Sequence, residues 1–326
     1  MHKTSCWFAF FALILAPLNG VSAQENDFLP DYYAETGLTD RATINDSPVE
    51  VIDPFTGHLT LAHTDVVVPG PGGLDIAVVR AYSSLQDYNS FGTLLVDYER
   101  SPVGLGWTMH FGRILLPTFG CQTGQTVANN PVYQSPDGHR KMLFRESTGV
   151  YLSKDRWRAE CTGGAWTVWA PDGTMLDLGY QGQPVLGTYA YYATKITDRN
   201  FNEIDISYER SQGLPYVTQV DASDGRRVTF TYSGVATSTF RLTRVSSEGR
   251  NWDYTHTSAP SLNGFMYLTR VDRPDGRDWD YAYHPTSASA GRRCISRVTY
   301  PYGATIDYDY DIVVFDSGYL NYKTTV

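Results

Sequence analysis

Outside the N-terminal segment, the residues best able to do chemistry are six histidines, a set of regularly placed aspartates and three cysteines. His58, His63, His110, His139, His256 and His284 are scattered. The five-residue spacing of His58 and His63 puts them on opposite faces of a strand, so they read as packing residues rather than metal ligands. Asp205, Asp253, Asp280 and Asp307 recur at near-equivalent places. An acidic ladder of this kind would suit calcium, which takes oxygens at about 2.3–2.6 Å. Aspartates on alternate strands, however, stand about 9.6 Å apart, two strand spacings, and cannot share one ion without help. The expectation is a solvated polar face, partly neutralised by Lys195, Arg244, Arg270 and Arg297 on the first strands of the hairpins. Sequence alone leaves the cross-strand register open, and with it the alternative that these bases lie over aromatic rings.

No His-Glu-x-x-His, Gly-x-Ser-x-Gly, Walker or calcium-loop pattern occurs in the chain. Gly70-Pro71-Gly72-Gly73 reads as a turn and not a phosphate loop, because no helical pattern follows it. Nothing singles out two of the 35 acidic residues as a glycosidase pair. The reading is therefore of a non-enzymatic chain without cofactor or metal, with a glycan-acting enzyme as the remote alternative.

These residues must be positioned by a β framework. The chain has 326 residues, 24 tyrosines, 29 glycines and a formal charge of −9. That charge disfavours nucleic-acid and anionic-membrane partners, which need concentrated basic surface. Residues 1–23 read as a secretory signal peptide: Lys3, an apolar run from Trp7 to Leu18, then Val21-Ser22-Ala23. The expected product is secreted or cell-surface, or periplasmic, without a transmembrane span after signal cleavage. Export permits disulfides. Cys121 and Cys161, both in glycine-rich settings, are the expected pair, and Cys294 the spare, a buried inert thiol. Residues 24–47 read as an extended leader, and residues 121–192 as an irregular β region carrying the disulfide.

From residue 193 onward a four-residue pattern recurs: aliphatic, Thr/Ser, Lys/Arg/Gln, Val/Ile. Its copies are 193–196, 217–220, 242–245, 268–271 and 295–298, with closing residues 24, 25, 26 and 27 positions apart. A turn follows each, at Asn200-Phe201, Gly225, Gly249, Gly276 and Gly303, with a fainter copy around Gly173. Period-two alternation then marks a half-buried strand bearing Tyr208, Tyr232, Tyr254, Tyr281 or Tyr308. Each copy is a hairpin with an aromatic face and a small polar face. One hairpin cannot bury its aromatic face alone, so the copies must stack. The expected fold is all-β, with antiparallel hairpins forming a long curved sheet.

An upstream block adds Gly57, Leu59 to Leu61, two apolar strands flanking Pro69 to Gly73, and Gly104-Leu105-Gly106-Trp107. Its second strand, ending in Arg80-Ala81-Tyr82, is apolar on both faces, so it must be covered on each side. Buried there, Arg80 needs a partner, and Asp65 is the expected one. Together these features resemble the YD repeats and the N-terminal core module of RHS-family proteins, over roughly residues 48–120 and 165–311. The resemblance implies part of an RHS-type β-cocoon shell: an N-terminal β module over 48–120 and an incomplete array of YD hairpins over 193–326. It also implies a structural carrier whose partner is the rest of a shell or a C-terminal toxin domain. The family's Asp-Pro-x-Gly-Leu autocleavage motif is absent from the chain. The alternative is a stand-alone binding module for an envelope glycan or surface protein. An incomplete shell is expected to leave an aromatic face exposed and to self-associate.

Overall fold

The computed structural model describes residues 49–53, 57–84, 87–88, 94–95, 101–117, 120, 130–185, 188–211, 213–234, 239–258, 266–285, 293–314 and 320–325. The signal segment 1–23, the leader 24–47 and Cys121 lie outside them. The protein is all-β, built on an antiparallel sheet of eighteen strands and a second sheet of four. Among the described residues no helix is long and apolar enough to cross a membrane.

The five hairpins stand in sequence order, each paired to the next. Their strands are Thr188–Thr197 with Glu203–Ser211, Leu214–Ala222 with Arg227–Ser233, Arg241–Ser247 with Arg250–Ser258, Met266–Asp272 with Asp278–Tyr283, and Ile295–Thr299 with Thr305–Asp307. The recurring four-residue pattern marks a β-bulge in every one of its five copies. Ser207 faces Gln219 while Tyr208 faces Val217, which leaves Thr218 as the extra residue. Thr194, Thr243, Thr269 and Ser296 are left over in the same way. The extra residue is why the first and fourth positions, three apart, both point into the core: Leu242 and Val245 are buried, as are Leu268 and Val271. The threonine hydroxyl then donates to a carbonyl across the bulge. Thr194, Thr218, Thr243 and Thr269 reach the carbonyls of Asp177, Ser207, Thr231 and Thr255 at 3.1, 3.3, 3.0 and 3.1 Å.

The four-stranded sheet consists of Val49–Ile52, Leu59–Val68, Ile76–Ser83 and Trp107–Met109, in that order. Its inward residues Leu59, Leu61, Val66, Val68, Ile76, Val78 and Trp107 share one core with the apolar face of the hairpins. Among the described residues the aromatic face expected to be exposed is covered: Trp252, Tyr254, Trp279 and Tyr281 are buried beneath this sheet. Each such large side chain contributes about 1.5–3 kcal/mol by leaving water. The strand Ile76–Ser83 is buried on both faces, as its sequence requires. On its outer side, Ala81 lies beside the turn at Gly138.

Two further pairs of strands, Asp87–Tyr88 with Leu94–Leu95 and Asp309–Val314 with Leu320–Thr325, form sheets of their own, and the strands from Arg113 to Thr197 follow a circuit with its own core. Arg113–Leu116 pairs with Val132–Gln134, which pairs with Arg140–Met142. The chain continues through Leu143 into Phe144–Ser147 and then antiparallel strands to Thr188–Thr197, whose 189–192 segment returns to Arg113–Leu116. Ile114, Tyr133, Leu143, Tyr151, Trp166 and Leu178 fill the interior. The strand Thr188–Thr197 is thus a fork: residues 189–192 serve the circuit and residues 195–197 start the hairpin array.

Candidate functional site

A cluster of chemically capable side chains lies between the two sheets. Asp65 is the extra residue of a bulge in Leu59–Val68, where Thr64 faces Val79 and Val66 faces Val78. The bulge turns its side chain inward, onto Arg80 of the neighbouring strand. Arg80 Nε donates to both Asp65 oxygens, at 2.9 and 2.7 Å, with both side chains essentially excluded from solvent. This is the pairing expected from the sequence. The guanidinium lies over the rings of Trp107 and Tyr281, 4.9 and 5.1 Å from their centroids. Tyr254 donates to Asp65 at 2.7 Å. His63, directly across from Arg80, sits 3.4 Å from the Tyr281 hydroxyl. Burial, and then the Arg80 charge, hold His63 well below the usual imidazole range. Burial, and then the Asp65 charge, push the Tyr254 phenol up.

The hairpin tyrosines divide into two sets that the sequence reading placed in one. Tyr254, Tyr281 and Tyr308 hold the middle position of the third to fifth hairpins and point at the four-stranded sheet. They meet Asp65, His63 and Glu50, the last at 2.9 Å. Tyr208 and Tyr232 instead hold the last position, shared by Tyr283 and Tyr310. In three of these copies the hydroxyl donates to the carbonyl fifteen residues back: Tyr232 to Val217, Tyr283 to Leu268 and Tyr310 to Ile295, at 2.7, 2.8 and 3.0 Å. Tyr208, beside the fork, instead stacks on Tyr180. In the third hairpin His256 takes the position and meets the Val103 carbonyl at 2.8 Å. Tyr283 and Tyr310 could have been found from their offset to the turn.

The upstream block supplies the remaining contacts. Trp107 Nε1 donates to the Tyr283 hydroxyl at 3.0 Å, and the Tyr82 hydroxyl accepts the Ile295 N–H at 3.0 Å. Gly104 lies against the fourth hairpin, where a Cβ would meet the Leu268 nitrogen at 2.9 Å. Gly106 packs on the Tyr82 ring, and the buried Gly57 donates its N–H to the Asp53 carbonyl. The 70–73 segment is a turn, clamped by Arg226, whose guanidinium donates to the Val68 and Leu74 carbonyls at 2.8 and 3.0 Å. No signal in the sequence singled out Arg226. Gly173, Gly225, Gly249, Gly276 and Gly303 all have positive φ. Cys161 is disulfide-bonded, and Cys294 is a free buried thiol that burial pushes up to about 12.

The outer polar face is a row of cross-strand pairs. Lys195 faces Asp205, Arg244 faces Asp253, Arg270 faces Asp280 and Arg297 faces Asp307. Their closest approaches are 3.5, 2.6, 3.3 and 2.5 Å. Where the second hairpin has Gln219 instead of a base, its partner is Thr229 instead of an acid. Lys195 also meets Glu203, and Arg270 also meets Asp272 and Asp278, so the bases neutralise this acidic face rather than lying as a ladder over aromatic rings. Being exposed, these pairs are screened by solvent and each adds little to stability. The buried cluster and this outer row share one chemistry, cohesion: each charge is taken up by a neighbour from another strand.

No protein-family model matches the chain, and no curated protein matches it. Among solved structures it is similar to a Photorhabdus luminescens Tc holotoxin pore, at 13% identity and a TM-score of 0.47, over 76% of this chain and 17% of that one. It is similar to TcdB2–TccC3 at 13% identity and a TM-score of 0.39, over 86% of this chain and 16% of that one. A third similar structure is the N-terminal domain of effector protein SpvB from Salmonella typhimurium strain LT2. There the identity is 11% and the TM-score 0.34, over 76% of this chain and 100% of that one. The chain thus spans well under two thirds of the length of the first two.

Proposed function

We propose that the chain is an exported, non-enzymatic shell segment of an RHS/YD-repeat protein, a scaffold that carries or encloses a toxin domain. The observation that carries this reading is the in-register stack of five hairpins, whose bulge threonines, carbonyl-bound tyrosines and cross-strand ion pairs all serve to continue a sheet. A stack of this kind adds repeats at its end without changing those already present. The likeness to Tc toxin structures accompanies the reading and does not carry it. The test is to recover the protein from its native producer under non-denaturing conditions and identify by mass spectrometry what remains bound or covalently continuous. Further hairpin repeats or a protease-protected toxin domain support the reading. Recovery of a lone chain overturns it.

A second reading, a binding module for envelope glycan or a surface protein, is favoured by two aromatic side chains held out at hairpin tips. Phe201 is 86% exposed and Tyr302 59% exposed. Retention of the purified chain on isolated envelope polysaccharide, lost in Phe201→Ala/Tyr302→Ala, supports this reading; no retention excludes the glycan form of it.

A further inference from the structure

Two histidines, the buried His63 and the half-buried His256, sit on the seam between the four-stranded sheet with its 101–106 loop and the hairpin array, and each has one solvent-shielded ring nitrogen without a partner. His63 lies among the rings of Trp107, Trp279 and Tyr281, at centroid distances of 5.6, 4.4 and 5.7 Å. Its Nδ1 faces the Tyr281 hydroxyl, while Nε2 has no hydrogen-bond partner. His256 places Nε2 2.8 Å from the Val103 carbonyl, so that nitrogen carries the proton and donates. Its Nδ1 is left bare and unpartnered. A second proton on His63 therefore enters a buried site with no acceptor, and one on His256 enters a solvent-shielded position aided only by the Tyr254 backbone. Each also meets a fixed cation. The charged group facing His63 is Arg80, itself held by Asp65, with the phenols of Tyr254 and Tyr281 beyond. The one facing His256 is Arg241, opposed by the Val103 carbonyl and the Tyr254 backbone.

We propose that this seam is an acid-operated joint, in which protonation of His63 and His256 separates the four-stranded sheet from the third to fifth hairpins while the hairpins stay paired. Burial is the main force against the charge at both sites, with Arg80 second at His63; it takes His256 down to about 4 and His63 well below its ordinary value. An opened histidine binds its proton near pH 6.5. The open state thus takes up more protons as pH falls below about 6.5, and the closed joint loses stability progressively from there toward pH 4. Above pH 6.5 the joint keeps its full strength. The inference rests on the fold and not on the shell reading.

Trp107 and Trp279 flank His63 and supply the probe. In the full chain, tryptophan emission should shift to the red on titration from pH 7.5 to pH 4, with a midpoint inside that window and the far-UV β signal retained. In His63→Phe/His256→Gln, which keeps a ring in the aromatic pocket and a donor toward Val103, the transition should vanish or move down by about one pH unit or more. An identical midpoint in wild type and variant overturns the joint, as does loss of the β signal together with the emission change. Should the variant fail to fold, amide exchange of the wild-type chain at pH 7.5 and pH 5 decides. Protection of Leu59–Val68 should fall about tenfold more than that of Arg158–Thr162, after correction for intrinsic rates. Equal changes in the two strands overturn the proposal.

Discussion

Arg80 and Asp65 hold each other in a place where neither charge could stay alone. The pair has almost no solvent, so its attraction is unscreened, and two aromatic faces absorb the part of the guanidinium that Asp65 does not reach. Removing one partner is the damaging change. Asp65→Ala strands a buried cation, deprives Tyr254 of its acceptor and should cost about 3–5 kcal/mol. Urea denaturation at pH 7.5 reads this directly. Asp65→Ala/Arg80→Met removes both charges and should recover a large share of the loss; a double variant no more stable than Asp65→Ala would show that the pair's charge is not what its partner needs. Phe201 is the opposite case. It occupies, at φ 63°, the turn position that Gly225, Gly276 and Gly303 fill in other hairpins, and its side chain is exposed. A left-handed non-glycine residue costs about 1–2 kcal/mol, so Phe201→Gly should raise the denaturation midpoint, net of glycine's greater unfolded-state freedom. A lower midpoint would mean that the ring makes contacts that stabilise the fold.

At the scale of the hairpin, the bulge threonine does two jobs: it is the inserted residue that brings both flanking apolar side chains inward, and its hydroxyl satisfies the carbonyl the bulge displaces. These jobs separate by mutation. Thr243→Val keeps the branched shape and the register but leaves the Thr231 carbonyl without that donor, and should cost about 1 kcal/mol. Deleting Thr243 instead turns either Leu242 or Val245 out of the core, and should prevent soluble expression or lower the melting temperature by many degrees, read by circular dichroism. The five hairpins were legible from local signals: turn glycines, alternation and a period near 25. The bulges were written in the same letters, as apolar residues spaced by three where a plain strand would space them by two, but an extra residue is defined only against a partner strand. For the same reason Tyr208 and Tyr254 looked equivalent. Whether a tyrosine reaches a carbonyl in its own sheet or an acid in another depends on its position after the turn and on what lies opposite. Asp65 and Arg80 were legible because a buried arginine constrains its neighbours so strongly.

At the scale of the molecule, what sequence could not supply is contact between distant segments. The fork joins residues 113–116 to 189–192, and the four-stranded sheet covers hairpins some 200 residues downstream; neither is marked by any local pattern. The consequence is largest for the aromatic face. Read hairpin by hairpin, it should be open and adhesive, but Trp107, Leu61, Val66 and Ile76 come from the other end of the chain to close it. The cover is therefore a solubility device as well as a core. A chain of residues 24–326 should elute as a discrete species and bind little 8-anilinonaphthalene-1-sulfonate at pH 7.5. Residues 193–326 alone lose both the cover and the strand that anchors the fork, exposing Trp252, Tyr254, Trp279 and Tyr281 together, a contiguous apolar face of the kind that drives association. That fragment should bind the dye strongly and aggregate, as judged by light scattering after size exclusion. Adding Asp65→Ala to the long chain should move it part of the way toward the same behaviour, because the Asp65–Arg80 pair and the cover lie on one seam. A soluble, dye-silent 193–326 fragment would mean that the hairpins bury their own aromatic face, and that the four-stranded sheet is not what closes it.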